Sequence, residues 1–260
     1  MADVPDRRFA LITGASSGIG KAFAEAFASR GYGILAVARR EEKLGQLAAE
    51  LSARYHIEVL TFAADLALPE TPDRLMEFVG KNAIRISALV NNAGFGVPGN
   101  LCDVNWQRHR DCIEVMATAP VRLCYLFGPL MAESGEGTIV NISSLSALLP
   151  PHAGGTLYYP VKSFLYQFSL AFRAEMEAAG VRVIAVCPGF TETNFQKAAG
   201  GTVESVAVPK WLWTSPGQVA ADTLHAVDRN RPVCIPGLFN KATAVFFKLV
   251  PAGIARRIVG

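Results

Sequence analysis

Tyr158 and Lys162 stand four residues apart, close to one turn of an α-helix, so a phenol and an ammonium group project from the same helical face. A phenol hands its proton to a neighbouring oxygen more readily when something stabilises the phenolate. A cation one turn away does this by drawing the phenol pKa down toward working pH. The pair reads as an acid/base device. Tyr159 is a competing phenol, but its spacing to Lys162 points it elsewhere.

A second group of residues suits phosphate. The apolar run Phe9–Ile12 leads into Thr13-Gly14-Ala15-Ser16-Ser17-Gly18-Ile19-Gly20 and then into a helical stretch. Gly14, Gly18 and Gly20 allow a tight turn and close approach of backbone to a pyrophosphate. The helix that follows supplies amide donors and the positive end of its dipole, which is what a dinucleotide loop requires. At the end of the second apolar run the chain reads Ala36-Val37-Ala38-Arg39-Arg40, with no carboxylate to repel a phosphate. Arg39 is expected to pair with an adenosine 2′-phosphate through its planar donor fork, with Arg40 as a second contact, so NADP(H) is expected over NAD(H).

These groups have to be positioned by a scaffold, and the pattern supplies one. Apolar runs that read as buried parallel strands recur at FALITG, GILAVAR, VLTFAAD, ISALVNNAG, GTIVNIS, VRVIAVCPG and PVCIPG. Amphipathic stretches such as GKAFAEAFASRG, REEKLGQLAAELSARY, TPDRLMEFVGKN and SFLYQFSLAFRAEMEAAG alternate with them. The alternation predicts an α/β fold, a Rossmann-like doubly wound parallel sheet of about seven strands with helices on both faces, in one domain over residues 1–260. Residues 191–216 have neither a clean helical nor a clean strand period. They are expected to form a flap over the crevice beyond the strands' carboxyl ends.

Thr13 to Gly20, Asn91-Asn92-Ala93-Gly94 and Tyr158-Tyr159-Pro160-Val161-Lys162, in that order, resemble the short-chain dehydrogenase/reductase family from about Phe9 to Pro236. The resemblance implies hydride transfer between a nicotinamide and a ketone or secondary alcohol, with Tyr158 delivering the proton and Lys162 also bonding the nicotinamide ribose. It adds a serine after GTIVNIS that polarises the substrate carbonyl. Ser144 is the better match and Ser143 the alternative. It implies cofactor contacts from Gly14, Ser16, Ser17, Gly18, Ile19 and Gly20; from Asp65 and Leu66 near the adenine; and from Asn91, Ala93 and Gly94. Pro188, Gly189, Thr191 and Thr193 would lie around the nicotinamide. Met116 departs from the pattern by standing where the family has an asparagine that holds a relay water. Reduced activity is expected from this, and the rival reading it motivates is a weakly catalytic nucleotide sensor or scaffold.

The chain has 51% hydrophobic and 18% charged residues and a net charge of +3, which suits an extensive core and is too small an excess for a nucleic-acid partner. Five dispersed cysteines and four separated histidines form no metal-binding pattern, and no metal is expected. The apolar run near the N-terminus breaks at once into the glycine loop, unlike a signal peptide, so a cytoplasmic location is expected. Phe195, Val206, Val208, Trp211, Leu212 and Trp213 make the flap apolar and favour a nonpolar carbonyl substrate. Residues 237–260 mix apolar and cationic side chains. They are expected to dock on the body or another subunit, with contact at a membrane surface as the alternative. The family resemblance also implies a homodimer or homotetramer.

Overall fold

The computed structural model describes residues 7–150, 157–193, 209, 212–251 and 254. Seven parallel strands, β1 (Arg8–Thr13), β2 (Gly33–Ala38), β3 (Val59–Ala63), β4 (Arg85–Asn91), β5 (Gly137–Ile142), β6 (Val181–Val186) and β7 (Val233–Cys234), form one sheet in the order β3-β2-β1-β4-β5-β6-β7. The expected fold is present. Strand order reverses between β1 and β4, and the two Gly-containing loops leave the sheet side by side at that switch point.

Alternating side chains are buried on both faces of the strands, which is why the strands read as continuous apolar runs. Ala10, Ile12 and Ile34 join Phe23 and Phe27 of α1 (Gly18–Ala28) and Leu44, Leu47 and Leu51 of α2 (Glu41–Tyr55). Val219 and Leu224 of α7 (Pro216–Asp228) complete that layer. Phe9, Leu11, Leu35 and Val37 face the other way, against α3 (Thr71–Lys81), α5 (Ala119–Glu133) and α6 (Tyr158–Met176).

α4 (Trp106–Ile113) runs into α5 through one wide turn, Glu114–Thr118, giving a single 28-residue helix. It is long and apolar enough to cross a membrane, but half of its most apolar stretch is buried in the fold. On α6, Lys162, Leu165 and Ser169 are buried at helical spacing, and that face turns the Tyr158–Lys162 pair toward the ends of β4 and β5. After β7 the chain forms a last helix, α8 (Leu238–Leu249), within the segment 237–260.

Candidate active site

The loop after β1 is packed too tightly to admit a side chain at Gly14 or Gly20. Gly14 has a φ of +68°, and a Cβ on Gly20 would overlap the Gly14 carbonyl oxygen. Thr13 and Asn92 tie this loop to the one after β4. The Asn92 amide Nδ2 donates to the Thr13 carbonyl at 2.9 Å, and the Thr13 hydroxyl accepts from the backbone N–H groups of Asn92 and Ala93 at 2.9 and 3.0 Å. Neither residue was expected as a site residue. The available signal was a hydroxyl at the end of β1 facing the second asparagine of the β4 loop.

No side chain caps α1, whose N-terminus opens on the loop. Arg40 Nη2 donates to Ser16 Oγ at 2.9 Å and Ser17 Oγ at 3.2 Å, so the second arginine, not the first, reaches over the glycine loop. Arg39 is 72% exposed, with its guanidinium 3.8 Å from Asp65 Oδ2. Asp65 also shapes its own turn, accepting from the Ala67 N–H at 3.0 Å. Leu66 is buried beside Val97 and Met116, and Ile19 packs on the core from α1.

At the other side of the crevice the Ser144 hydroxyl lies beside the Tyr158 phenol, close enough to act on its protonation. Ser144 also accepts from the Ser146 N–H at 3.2 Å, opening the short turn Leu145–Leu148. Ser143 is occupied elsewhere, its hydroxyl donating to the Lys162 carbonyl at 2.7 Å. Lys162 is buried, its Nζ donating to the Ile142 carbonyl at 2.9 Å and lying 5.9 Å from the Tyr158 ring centre. Tyr159 meets Tyr158 edge to face at 6.1 Å.

The protonation equilibria differ from the sequence expectation. Burial pushes the Tyr158 phenol up to about 12, opposed by the Ser144 hydroxyl, and the same cause draws Lys162 down to about 8. Desolvation favours the neutral form of each group and outweighs the attraction between an ammonium and a phenolate. Lys162 is also turned to a backbone carbonyl instead of the phenol oxygen. The expected lowering of the phenol by its ammonium neighbour is therefore overturned here.

Met116 is fully buried inside the wide turn between α4 and α5, a local form that concentrates at functional sites. Its thioether faces Gly94: a Cβ at that glycine would lie 2.9 Å from Met116 Sδ and 3.8 Å from Lys162 Nζ. The sequence departure thus falls beside the amine. Asn91 turns its side chain into the sheet, donating to Asn141 Oδ1 at 2.8 Å; Asn141 in turn donates to Ser169 Oγ at 2.9 Å.

The loop after β6 closes the crevice. Pro188 accepts from the Leu145 N–H at 2.8 Å, and Thr193 lies against Gly18, where a Cβ would be 3.0 Å from its methyl group. Thr191 pairs with Thr214, with hydroxyls 3.2 Å apart, so the two feet of the expected flap are fastened together. Phe190 stacks on Trp213 at 5.7 Å at this base. Phe195, Val206, Val208 and Trp211 lie outside the described residues.

A family model described as short chain dehydrogenase matches residues 8–203, well over half of the chain. The chain belongs to the short-chain dehydrogenase family. It is 34% identical over 212 residues to sulfoacetaldehyde reductase 2 of Chromohalobacter salexigens, covering 80% of this chain and 82% of that one. Among solved structures it resembles a short-chain dehydrogenase from Sphingobium yanoikuyae in complex with NADPH. That match has a TM-score of 0.82 and 30% identity, covering 94% of this chain and 96% of the other. It also resembles a bulky-bulky ketone specific alcohol dehydrogenase from Comamonas testosteroni, with a TM-score of 0.78 and 28% identity, covering 95% and 96%. This short-chain dehydrogenase is accordingly an oxidoreductase.

Proposed function

We propose that the protein is an NADP(H)-dependent oxidoreductase acting between a nonpolar ketone and its secondary alcohol. The observation that carries the reading is the placement of Ser144 beside Tyr158, with Lys162 one turn behind them, across the crevice from the glycine loop. Two hydroxyl groups stand side by side there, where a carbonyl oxygen can accept from both. Ser144 polarises that oxygen and holds the developing charge, and Tyr158 gives it a proton. When bound, the nicotinamide supplies the hydride, with its electron pair, to the carbonyl carbon. Lys162 replenishes charge behind the phenol, and its amine, drawn down to about 8, can change protonation near working pH.

The residues present fit such a cofactor. The cramped Gly14–Gly20 backbone and the uncapped α1 N-terminus suit its pyrophosphate. Arg40, already held on Ser16 and Ser17, and exposed Arg39 suit a 2′-phosphate, and Ala38 puts no carboxylate at the end of β2. Asp65 and Leu66 would border the adenine; Ala93, Gly94, Tyr158 and Lys162 the nicotinamide ribose; Asn91, its side chain bonded into the sheet, would offer the cofactor only its backbone; and Pro188, Gly189, Thr191 and Thr193 would border the nicotinamide. The NADPH complex of the Sphingobium protein supports this choice.

The exposed Phe190, stacked on Trp213 at the base of the flap, favours an apolar substrate, as does the bulky-ketone specificity named for the Comamonas enzyme. The reductase named for sulfoacetaldehyde, a small charged compound, argues the other way. Initial rates with NADPH and NADH against cyclic and aryl ketones, long-chain 3-oxo esters and sulfoacetaldehyde decide between them. The expected result is NADPH turnover highest with bulky apolar ketones and lost in Tyr158→Phe. Preference for the sulfonated aldehyde would overturn the substrate class, and turnover that survives Tyr158→Phe would overturn the mechanism.

For assembly, a groove of about 660 Å³ lies on the outer side of α5 and α6, lined almost wholly by apolar atoms, with Tyr125 and Phe164 exposed at its walls. This face suits a second copy of the chain. Light scattering of Tyr125→Glu against the parent protein should show a smaller particle.

A further inference from the structure

Helix α8 is built inside out. Its buried positions are Asn240 and Ala244, one polar and one small, whereas Leu238, Phe239, Val245, Phe246 and Leu249 are between 48 and 84% exposed. At 100° per residue these five side chains and Ala242 fall within an arc of about 120°, opposite the docked face. Exposed Lys241 and Lys248 share one edge of that arc. Ile254, beyond Pro251, is 54% exposed as well.

The docked side is well held. Asn240 Nδ2 donates to the Pro236 carbonyl at 2.7 Å, its amide oxygen abuts Gly189, and the Gly237 N–H donates to Asp222 Oδ2 at 3.2 Å. Repacking the helix to hide its leucines and phenylalanines would break these contacts.

We propose that the outer face of α8 binds the surface of an anionic lipid bilayer. Residues 237–260 carry Lys241, Lys248, Arg256 and Arg257 and no acidic side chain. An apolar arc edged by lysines, whose alkyl stems lie along the bilayer while their ammonium groups reach the phosphates, has the composition of an interfacial helix. A second copy of the same face fits less well. A two-fold contact repeats one patch on itself, and this patch offers cations with no acidic side chain to receive them. The placement gives the binding a use. Asn240 abuts the Pro188–Gly189 loop, and α8 packs on the Leu145–Leu148 turn that follows Ser144. A bilayer on α8 therefore lies at the end of the molecule where the crevice opens. Delivery of an apolar ketone from lipid would follow, a consequence that rests on the proposed substrate class, although the binding itself does not.

The test is co-sedimentation of the full-length protein with phosphatidylcholine vesicles, with and without phosphatidylserine, read as protein bound and not as turnover. Binding is expected only with phosphatidylserine and should weaken as salt is added. Phe246→Glu/Leu249→Glu should abolish it. Lys241→Gln/Lys248→Gln should weaken it by roughly 25-fold, since each cation near an anionic surface is worth about fivefold. All four substituted side chains are solvent-exposed, so circular dichroism and turnover of a water-soluble ketone should match the parent. Failure of the parent to sediment, or equal sedimentation of parent and variants, would overturn the proposal. So would a change of particle size in Phe246→Glu/Leu249→Glu without any vesicle binding by the parent, which would assign the face to a second copy.

Discussion

Replacing Lys162 by methionine should make the nucleotide-free protein more stable while removing its activity. Lys162 is buried, and its pKa falls from 10.5 to about 8. Because a tenfold change in proton affinity is about 1.4 kcal/mol, the charged amine costs the fold about 3 kcal/mol relative to the unfolded chain. Below pH 8 the lysine is protonated in both states and the full cost applies. Above 10.5 it is neutral in both and the cost is gone. Methionine fills nearly the same space without charge but leaves the Ile142 carbonyl, now bonded at 2.9 Å, without its donor. That loss is worth about 1 kcal/mol. The net gain near pH 7 is then about 2 kcal/mol, or about 5 °C in Tm for a protein of this size. Near pH 9.5 most of the lysine's cost has gone, and the gain should shrink to about zero. Buried Cys124, raised to about 12, weakens the fold as pH rises above 9, but it does so equally in both proteins and cancels in the comparison. Cys112 and Cys187 feel the Lys162 charge, a difference that is small near pH 9.5 because the folded amine is by then mostly neutral. Thermal unfolding by calorimetry at the two pH values measures the difference directly. A Lys162→Met protein less stable than the parent at neutral pH, or a gap independent of pH, would refute the reasoning.

Met116→Asn places an amide beside Gly94 and Lys162, where a thioether now offers no comparable hydrogen bond, and should raise kcat by about 10-fold, less than the roughly 100- to 10,000-fold that fully assisted proton transfer supplies. Unchanged or lower turnover would show that the proton path avoids this position. Arg40→Gln removes the guanidinium from Ser16 and Ser17 and should weaken NADPH binding by about 10- to 100-fold, with little effect on NADH; the charge-assisted bond is worth about 1.5–3 kcal/mol. Arg39→Asp should add to this and reverse the preference, and fluorescence titration with both nucleotides checks each variant. Gly20→Ala drives a methyl group into the Gly14 carbonyl and should abolish binding of either nucleotide, as calorimetric titration would show.

The strands, their two-faced burial, the glycine loop and the Tyr158–Lys162 pair were legible because they depend on local spacing: alternation along a strand, turns that need glycine, and one helical turn between two side chains. The family pattern ranked Ser144 above Ser143, but spacing along the chain could not exclude either. The backbone path after β5 decides that one hydroxyl meets Tyr158 and the other the Lys162 carbonyl. Nor could the ranking of Arg39 and Arg40, or the ties from Thr13 to Asn92, be read from spacing, since each joins segments brought together only by the sheet. The pKa values went against the sequence expectation for the same reason. Proximity of two groups along a helix predicts their mutual attraction, whereas their desolvation is set by what the rest of the fold packs around them. Tertiary structure alone also decided which way α8 faces, because helical periodicity marks an apolar stripe without saying whether it turns toward the core or away from it.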